Sequence, residues 1–310
     1  MTQDQRRFFD WKYTQDFCNQ ELTTYEDKAR LYSAEPAFRE SLHALADAGK
    51  LDSAALGSLV RTTSIGIFRP DAIAHGKIPD ALAYFARLGI RPVHCTTTQV
   101  TGHAVREVWR YQLKPASGER IRLLDLLFEA SPSILVVFAA DTELPVPCSA
   151  LMADSKGEAN PDDREGWELR SHLDSPNRIE VYMHIADEPA DVVRDGGIVL
   201  GPDGFAAAML ADRSADLTAE VIGLGERIDK EYGEAARDCE LSGGLLGSEL
   251  ARIGERSEGT LDRWHVLRSL GAACTMIAGP RENIISHSGT DAWWDRAGLL
   301  ADRSVYLSSQ

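Results

Sequence analysis

The feature that most constrains the fold is a continuous apolar run, Ser133-Ile-Leu-Val-Val-Phe-Ala-Ala140. It is far shorter than the roughly 20 residues that a helix needs to cross a membrane. In a strand with one face in water, polar residues alternate with apolar ones, and this run shows no such alternation. The run therefore predicts a strand that is buried on both faces.

Weaker patterns predict the elements around this strand. They indicate strands at 64–68 and 90–98, and helices at 78–88, from 101, at 121–129 and at 145–153, followed by a long polar loop, 154–177. With a last strand and helix, the order is β-α-β-α-α-β-α-loop-β-α. This order predicts an α+β sandwich: a mainly antiparallel sheet with helices on its face and ferredoxin-like connectivity.

The chain divides into three segments by pattern. Residues 1–60 form a polar helical N-terminal extension with a helix at 36–49, and residues 61–202 form the α+β domain. Glycines from Gly196 to Gly204 mark the next boundary, and 203–310 form a helical C-terminal domain with helices at 205–237, 245–256 and 260–277.

Composition excludes some partners. The formal net charge of −15 over 310 residues argues against a nucleic-acid surface, which needs clustered Lys and Arg. The chain shows neither an apolar run of membrane-helix length nor an apolar signal core, so we expect a cytoplasmic protein without a membrane partner. The five cysteines are scattered and odd in number, which is typical of reduced thiols and indicates no metal site.

A single histidine ends the next candidate strand, in the stretch from Asn177 to Asp195. Alternation from Ile179 to Met183 predicts a half-buried strand ending at His184, and Asp187 is expected to cap the helix that follows. A neutral imidazole at a strand end, facing helix-start N–H groups, suits chemistry on phosphate. The alternative is a histidine that is satisfied by a local hydrogen bond.

Five short motifs, taken together, resemble the nucleoside diphosphate kinase family over about residues 62–200. They are Ser64-Ile-Gly-Ile-Phe-Arg-Pro-Asp71, Ser131-Pro-Ser-Ile-Leu-Val-Val-Phe138, Asn160-Pro161, Glu168-Leu-Arg170 and His184-Ile-Ala-Asp187. They look like the family's first strand and Lys-Pro-Asp turn, its Ser-Gly-Pro strand, its Thr-Asn-Pro, its Ile-Arg and its His-Gly-Ser-Asp. Their order and spacing carry the resemblance, since none of them is decisive alone.

The resemblance implies a phosphotransferase. His184 would take the γ-phosphoryl group of ATP or another nucleoside triphosphate and pass it to an acceptor, while Asp195 orients the other ring nitrogen. Arg170 matches a family arginine that holds phosphates. The remaining expected nucleotide- or phosphate-binding residues are Arg164, Lys156, Trp109 and Asp187. Mg²⁺ is expected through the phosphates rather than through a protein cage, and a homo-oligomer is the expected assembly.

Departures from the family concern acceptor recognition. Arg69 replaces the lysine before Pro-Asp, Val181 the asparagine before the histidine, Trp109 a tyrosine, and Ala159 the threonine of Thr-Asn-Pro. The segment 114–120 replaces the loop whose aromatic residue stacks on the base. The residues that the resemblance assigns to phosphate binding and transfer are therefore partly retained, while those for ribose and base recognition are altered.

Three functions remain open at this point: an active phosphotransferase, a non-catalytic nucleotide-binding or regulatory module whose helical extensions bind a partner, and a different enzyme that uses the same cleft. A second segment, 283–291, contains His287 and superficially resembles the family's histidine motif. It has one extra residue before the histidine and follows a predicted helix rather than a strand.

Overall fold

The computed structural model describes residues 7–111, 118–237 and 290–309, and the elements below are numbered within that part. The predicted helices at 245–256 and 260–277, and the segment around His287, lie outside it. The N-terminal helices are α1 (Trp11–Phe17), a π-helical turn (Cys18–Leu22), α2 (Glu26–Ala34), α3 (Pro36–Gly49) and α4 (Ser53–Arg61).

The middle of the chain alternates strands and helices. In order these are β1 (Thr63–Phe68), α5 (Pro70–Ala74), α6 (Ile78–Arg87), β2 (Ile90–Thr98), α7 (Gly102–Val108), α8 (Gly118–Glu129), β3 (Ser133–Ala140), α9 (Cys148–Lys156), a 3-10 turn (Pro161–Asp163), α10 (Leu169–His172), β4 (Met183–Ile185) and α11 (Pro189–Met209). The remaining described elements are α12 (Thr218–Arg237), α13 (Thr290–Arg296), a 3-10 turn (Leu300–Asp302) and α14 (Arg303–Ser308).

The four strands form one antiparallel sheet in the order β2-β3-β1-β4. The α+β class and the antiparallel sheet predicted from the sequence are confirmed. β3 has the predicted bounds and lies inside the sheet, where its side chains alternate between two cores. Ile134, Val136 and Phe138 belong to one core, whereas Leu135, Val137 and Ala139 belong to the other.

Helices cover both faces of the sheet. The first core contains apolar side chains from α6, α9, α12 and α13. The second core contains those from α3, α4, α7 and α11. The N-terminal helices therefore supply part of the second core, and they pack directly on the α+β unit.

The structure corrects the prediction for the last strand. β4 spans only Met183–Ile185, not the run from Ile179. Tyr182 has φ of +61°, which interrupts the extended backbone just before β4. Asn177 accepts from the amides of Ile179 and Glu180 and so holds the preceding residues in a turn. Apolar alternation alone did not reveal this turn.

Other boundaries also shift. Glu188, not Asp187, caps α11, in a capping box with Asp191. α9 begins at Cys148 and runs to Lys156, so it takes in the start of the predicted loop. The predicted helix at 205–237 is divided, because α11 continues through a kink at Gly201 to Met209 and α12 begins at Thr218.

The first turn of α11 is fastened to α2 by a buried charge cluster. Lys28 Nζ lies 2.7 Å from a Glu188 carboxylate oxygen and 2.8 Å from one of Asp191. The Tyr32 hydroxyl donates to Asp191 at 2.7 Å, and the Thr23 hydroxyl donates to Glu188 at 2.8 Å. Neighbouring carboxylates raise the pKa of Lys28, so the lysine is charged despite its burial.

The last described segment docks on the same region. Trp293 Nε1 donates to Glu188 at 3.0 Å, and Trp294 Nε1 donates to Asp154. Arg303 Nη2 donates to Asp154 at 2.7 Å. Burial raises the pKa of Asp154 to about 6, and the Arg303 charge opposes that shift. The C-terminal segment therefore rests on α9 and on the cap of α11.

Among the described residues, no helix combines the length and apolarity needed to cross a membrane. The described cysteines Cys18, Cys95 and Cys148 carry free thiols, while Cys239 and Cys274 lie outside the described residues.

Replacing Lys28 by Met should lower the free energy of unfolding by about 3–5 kcal/mol, because two carboxylates would stay buried without their cation. Arg30 is the matched control on α2, since its pair with Asp27 leaves the side chains 58% and 81% exposed. Arg30→Met should change stability by less than about 1 kcal/mol. Urea unfolding measures both, and equal losses would contradict the importance of the buried cluster.

Candidate active site

His184 occupies the middle of β4, an edge strand that pairs with β1. Its neighbours Met183 and Ile185 are buried in the first core. Because side chains alternate along a strand, the imidazole points to the opposite face of the sheet, towards α7 and α11. The His184 side chain is 14% exposed, so it is mostly enclosed by protein but remains accessible to solvent.

Asp195 of α11 makes the main polar contact of the imidazole. Its Oδ2 atom lies 2.8 Å from His184 Nε2, and its side chain is 5% exposed. Burial raises the pKa of Asp195, and the His184 contact opposes that shift. A more basic carboxylate is a stronger acceptor for a ring N–H. The contact therefore favours hydrogen on Nε2 and leaves the lone pair on Nδ1.

Aromatic rings connect His184 to Arg69. The Trp109 ring lies edge-on to the imidazole with 4.8 Å between centroids. Trp109 also contacts Phe128 at 5.5 Å, and the Arg69 guanidinium lies 5.3 Å from the centre of the Phe128 ring. The structure thus brings together four of the residues selected from the sequence: His184, Asp195, Trp109 and Arg69.

Arg69 is bound by its own turn. Its Nε and Nη2 atoms donate to both carboxylate oxygens of Asp71 at 3.0 and 3.1 Å, in a pair that is almost fully buried. The side chain of Asp71 also accepts from the Tyr182 amide at 3.4 Å. The Arg-Pro-Asp turn is therefore joined to the residue that precedes β4, and two of the guanidinium nitrogens are already used.

Lys156 lies next to the C-terminal end of β4. It is the last residue of α9, and its Nζ atom donates to Asp187 at 2.8 Å. The same atom lies 3.5 Å from the carbonyl oxygen of Ile185, next to His184. The side chain of Lys156 is 13% exposed. Of the two loop cations selected from the sequence, Lys156 is the one in contact with the backbone of β4.

The two arginines of the long loop contact loop backbone instead. Arg164 donates to the carbonyl oxygens of Glu158, Ala159 and Ser175. Arg170, in α10, donates from Nη1 to the Gly157 carbonyl at 2.5 Å. The side chain of Arg170 is also buried. These contacts bind both arginines to the backbone of the loop itself.

The residue that sequence analysis missed is Arg194. It precedes Asp195 on α11 and its side chain is only 1% exposed. The two residues before it, Val192 and Val193, are apolar and lie in the second core. Its guanidinium binds Glu35 and the end of α7. An arginine within an otherwise apolar helix is the signal that could have identified it, because a buried charge requires partners.

Glu180, which precedes β4, gives the site region a testable pH dependence. Burial raises its pKa from 4.5 to about 7, against the opposing hydrogen bond from Asn177. Between about pH 4.5 and pH 7, Glu180 therefore holds a proton in the folded protein that it releases in the unfolded chain. The stability due to this proton is present below about pH 4.5 and is lost as the pH rises through 7.

Glu180→Gln should therefore flatten the fall in unfolding free energy between pH 5 and pH 7. The group contributes at most about 1.4 kcal/mol per pH unit. Urea unfolding at four pH values measures the slope, with Glu143→Gln as a control at an exposed glutamate. Parallel pH profiles for wild type and Glu180→Gln would contradict a raised pKa.

Comparisons with known proteins show a weak structural similarity. No protein-family model matches the chain, and no curated protein matches it. The chain is similar to a solved structure described as a nucleoside diphosphate kinase family protein from Babesia bovis, with a TM-score of 0.39 and 12% identity. That match covers 51% of this chain and 98% of the other. A similarity at this level assigns neither a family nor an activity.

Proposed function

We propose that the chain is a phosphotransferase of the nucleoside diphosphate kinase type, which carries a phosphoryl group on His184. The observation that carries this proposal is the 2.8 Å contact between His184 Nε2 and the buried Asp195. It leaves Nδ1 as the candidate nucleophilic atom of an imidazole that lies on an edge strand.

The proposed reaction has two steps. The Nδ1 lone pair attacks the γ-phosphorus of a nucleoside triphosphate, an N–P bond forms, and the bond to the β-phosphate oxygen breaks to release the diphosphate. An oxygen of the acceptor then attacks the phosphorus, the N–P bond breaks, and the imidazole is restored. Asp195 stabilises the ring while it carries the phosphoryl group, because its carboxylate stays hydrogen-bonded to Nε2.

The fold supports this proposal. It is an α+β fold with an antiparallel sheet in the order β2-β3-β1-β4 and helices between successive strands, and we propose ferredoxin-like connectivity for it. In this sheet, the turn after β1 lies next to the start of β4, because Phe68 pairs with Met183 and the Arg69 amide donates to the Tyr182 carbonyl. Arg69 follows β1 two residues after Ile67, the residue that pairs with His184.

The cations around His184 have defined roles in the proposal. Lys156 is the side chain best placed to approach a phosphate bound over β4, since it already contacts the Ile185 carbonyl. Arg69 does not offer a free fork, because Asp71 binds two of its nitrogens and balances its charge. A cation such as Lys156 stabilises the negative charge that spreads over the transferred group.

The residues of the site do not fit a protein-held Mg²⁺. Among the described residues, no group of three or more His, Cys, Asp or Glu side chains is placed to hold a metal ion. The nearby carboxylates of Asp195 and Asp187 are paired with His184 and Lys156. A magnesium ion is therefore proposed only as part of the nucleotide substrate, and no step depends on it.

A second candidate function is a non-catalytic nucleotide-binding or regulatory module. It is favoured by the engagement of Arg69, Lys156 and Arg164 in contacts within the protein, which leaves fewer donors for a triphosphate. This alternative keeps the fold and the His184–Asp195 contact but predicts no phosphoenzyme. The two functions therefore differ in one measurable product, phosphohistidine.

Incubation with γ-labelled ATP should give an acid-labile, alkali-stable label on the wild-type protein, and His184→Ala should abolish it while the fold is retained. His103→Ala is a matched control at an exposed histidine and should label normally. His287→Ala tests the second histidine segment. Undiminished label in His184→Ala, or loss only in His287→Ala, would contradict the assignment.

Common nucleoside diphosphates should be poor acceptors. Val181 cannot hydrogen-bond an acceptor hydroxyl through its side chain, and Asp71 already binds the Arg69 fork. A hydrogen bond lost in a closed site costs roughly 1–3 kcal/mol, or about ten- to a hundred-fold in rate. Steady-state transfer from ATP to a panel of diphosphates measures this. A specificity constant of about 10⁴–10⁸ M⁻¹s⁻¹ for a common diphosphate would contradict it.

A further inference from the structure

We propose that Arg194 is a positioning residue, which holds the imidazole of His184 in its hydrogen bond and so couples the N-terminal helices to the candidate active site. The catalytic meaning of this inference rests on the proposed function. The inference also explains the orientation of the His184 ring, and that part does not rest on the proposed function.

The guanidinium of Arg194 is fixed by partners from two other elements. Its Nε and Nη2 atoms donate to the carboxylate of Glu35 at 2.8 and 3.2 Å. Nη2 also donates to the Glu107 carbonyl at 2.8 Å, and Nη1 donates to the Val108 carbonyl at 3.2 Å. Three of its nitrogens are therefore bound, and a planar fork held at three nitrogens has one orientation.

Aromatic rings hold the same group on its faces. The guanidinium carbon lies 4.9 Å from the centre of the Tyr32 ring and 5.4 Å from that of Tyr111. Tyr111 also donates its hydroxyl hydrogen to Glu35 at 2.9 Å. Glu35 caps α3, and Tyr32 belongs to α2. The N-terminal helices thus provide the carboxylate and one of the two aromatic rings around Arg194.

Two routes lead from this guanidinium to the His184 ring. Along α11, the next residue is Asp195, whose Oδ1 lies 3.9 Å from Arg194 Nη1 while its Oδ2 contacts the imidazole. Along α7, the bound carbonyl oxygens of Glu107 and Val108 directly precede Trp109, whose edge packs on the imidazole. Both contacts of the ring are therefore anchored by one buried side chain.

Attachment of α11 to the N-terminal helices does not depend on Arg194. The Lys28 cluster already fastens the first turn of α11 to α2, and Leu42 of α3 packs in the second core together with Val193. Loss of the Arg194 fork is therefore expected to loosen the imidazole contacts while α11 stays in place. This separates a positioning role from a purely structural one.

The test follows the Nε2–H proton of His184 by ¹⁵N-edited NMR of the full chain, at a temperature well below every melting transition. In the wild type, the bonded proton should exchange slowly with water. Arg194→Lys keeps the positive charge but removes the planar guanidinium and its set of hydrogen bonds. Glu35→Gln keeps Arg194 but weakens its hydrogen bonds by removing the charge of the acceptor. Each should speed exchange of this proton at least about tenfold.

Leu42→Ala is the matched control. It lowers the melting temperature by removing core packing between α3 and α11, but leaves the fork intact. Its Nε2–H exchange should stay at the wild-type rate. In the labelling assay, Arg194→Lys should lower the rate of phosphohistidine formation with little change in the KM for ATP.

Wild-type exchange rates in both Arg194→Lys and Glu35→Gln, or equal acceleration in Leu42→Ala, would overturn the inference. The proposed function can fail separately. If the wild type takes up no label but the exchange pattern is as expected, Arg194 positions the ring of a histidine that is not phosphorylated.

Discussion

The structure depends on the burial of four charged residues along the start of α11: Glu188, Asp191, Arg194 and Asp195. A charge taken out of water is costly unless partners satisfy it, so each one requires a side chain from elsewhere in the chain. Lys28 and Glu35 come from the N-terminal helices, and His184 comes from the sheet. This electrostatic requirement joins the N-terminal segment, the edge strand and the helix into one arrangement around His184.

The same arrangement explains how a short edge strand can hold an oriented side chain. β4 has only three residues, and its outer edge has no neighbouring strand among the described elements. Strand pairing alone would leave such an element weakly held. Tyr182 is tied to the Arg69–Asp71 turn before the strand, Lys156 reaches the backbone within it, and Asp195 holds the imidazole. Tertiary contacts therefore take the place of the additional backbone hydrogen bonds that a longer strand would form with β1.

These contacts also define what is unusual about the proposed chemistry. The positive side chains around His184 are balanced by carboxylates inside the protein, so the site does not offer an open cluster of cationic donors. A nucleotide bound there would have to compete for Lys156 or accept charge stabilisation at longer range. That balance is the physical reason for considering a regulatory module beside the phosphotransferase, and for proposing an acceptor other than a common nucleoside diphosphate.

The sequence by itself determined the elements whose signal is local. Continuous hydrophobicity identified β3, amphipathic periodicity identified α3 and α6, and ordered motifs identified His184 and Asp195 as partners. Only the tertiary structure decided that the N-terminal helices cover the second face of the sheet, that Asp71 binds Arg69, and that Arg194 anchors the contacts of His184. Those outcomes depend on pairing between residues far apart in the chain, such as Glu35 and Arg194. Local periodicity does not indicate which distant carboxylate will pair with a buried cation, because burial and pairing are determined together when the layers pack.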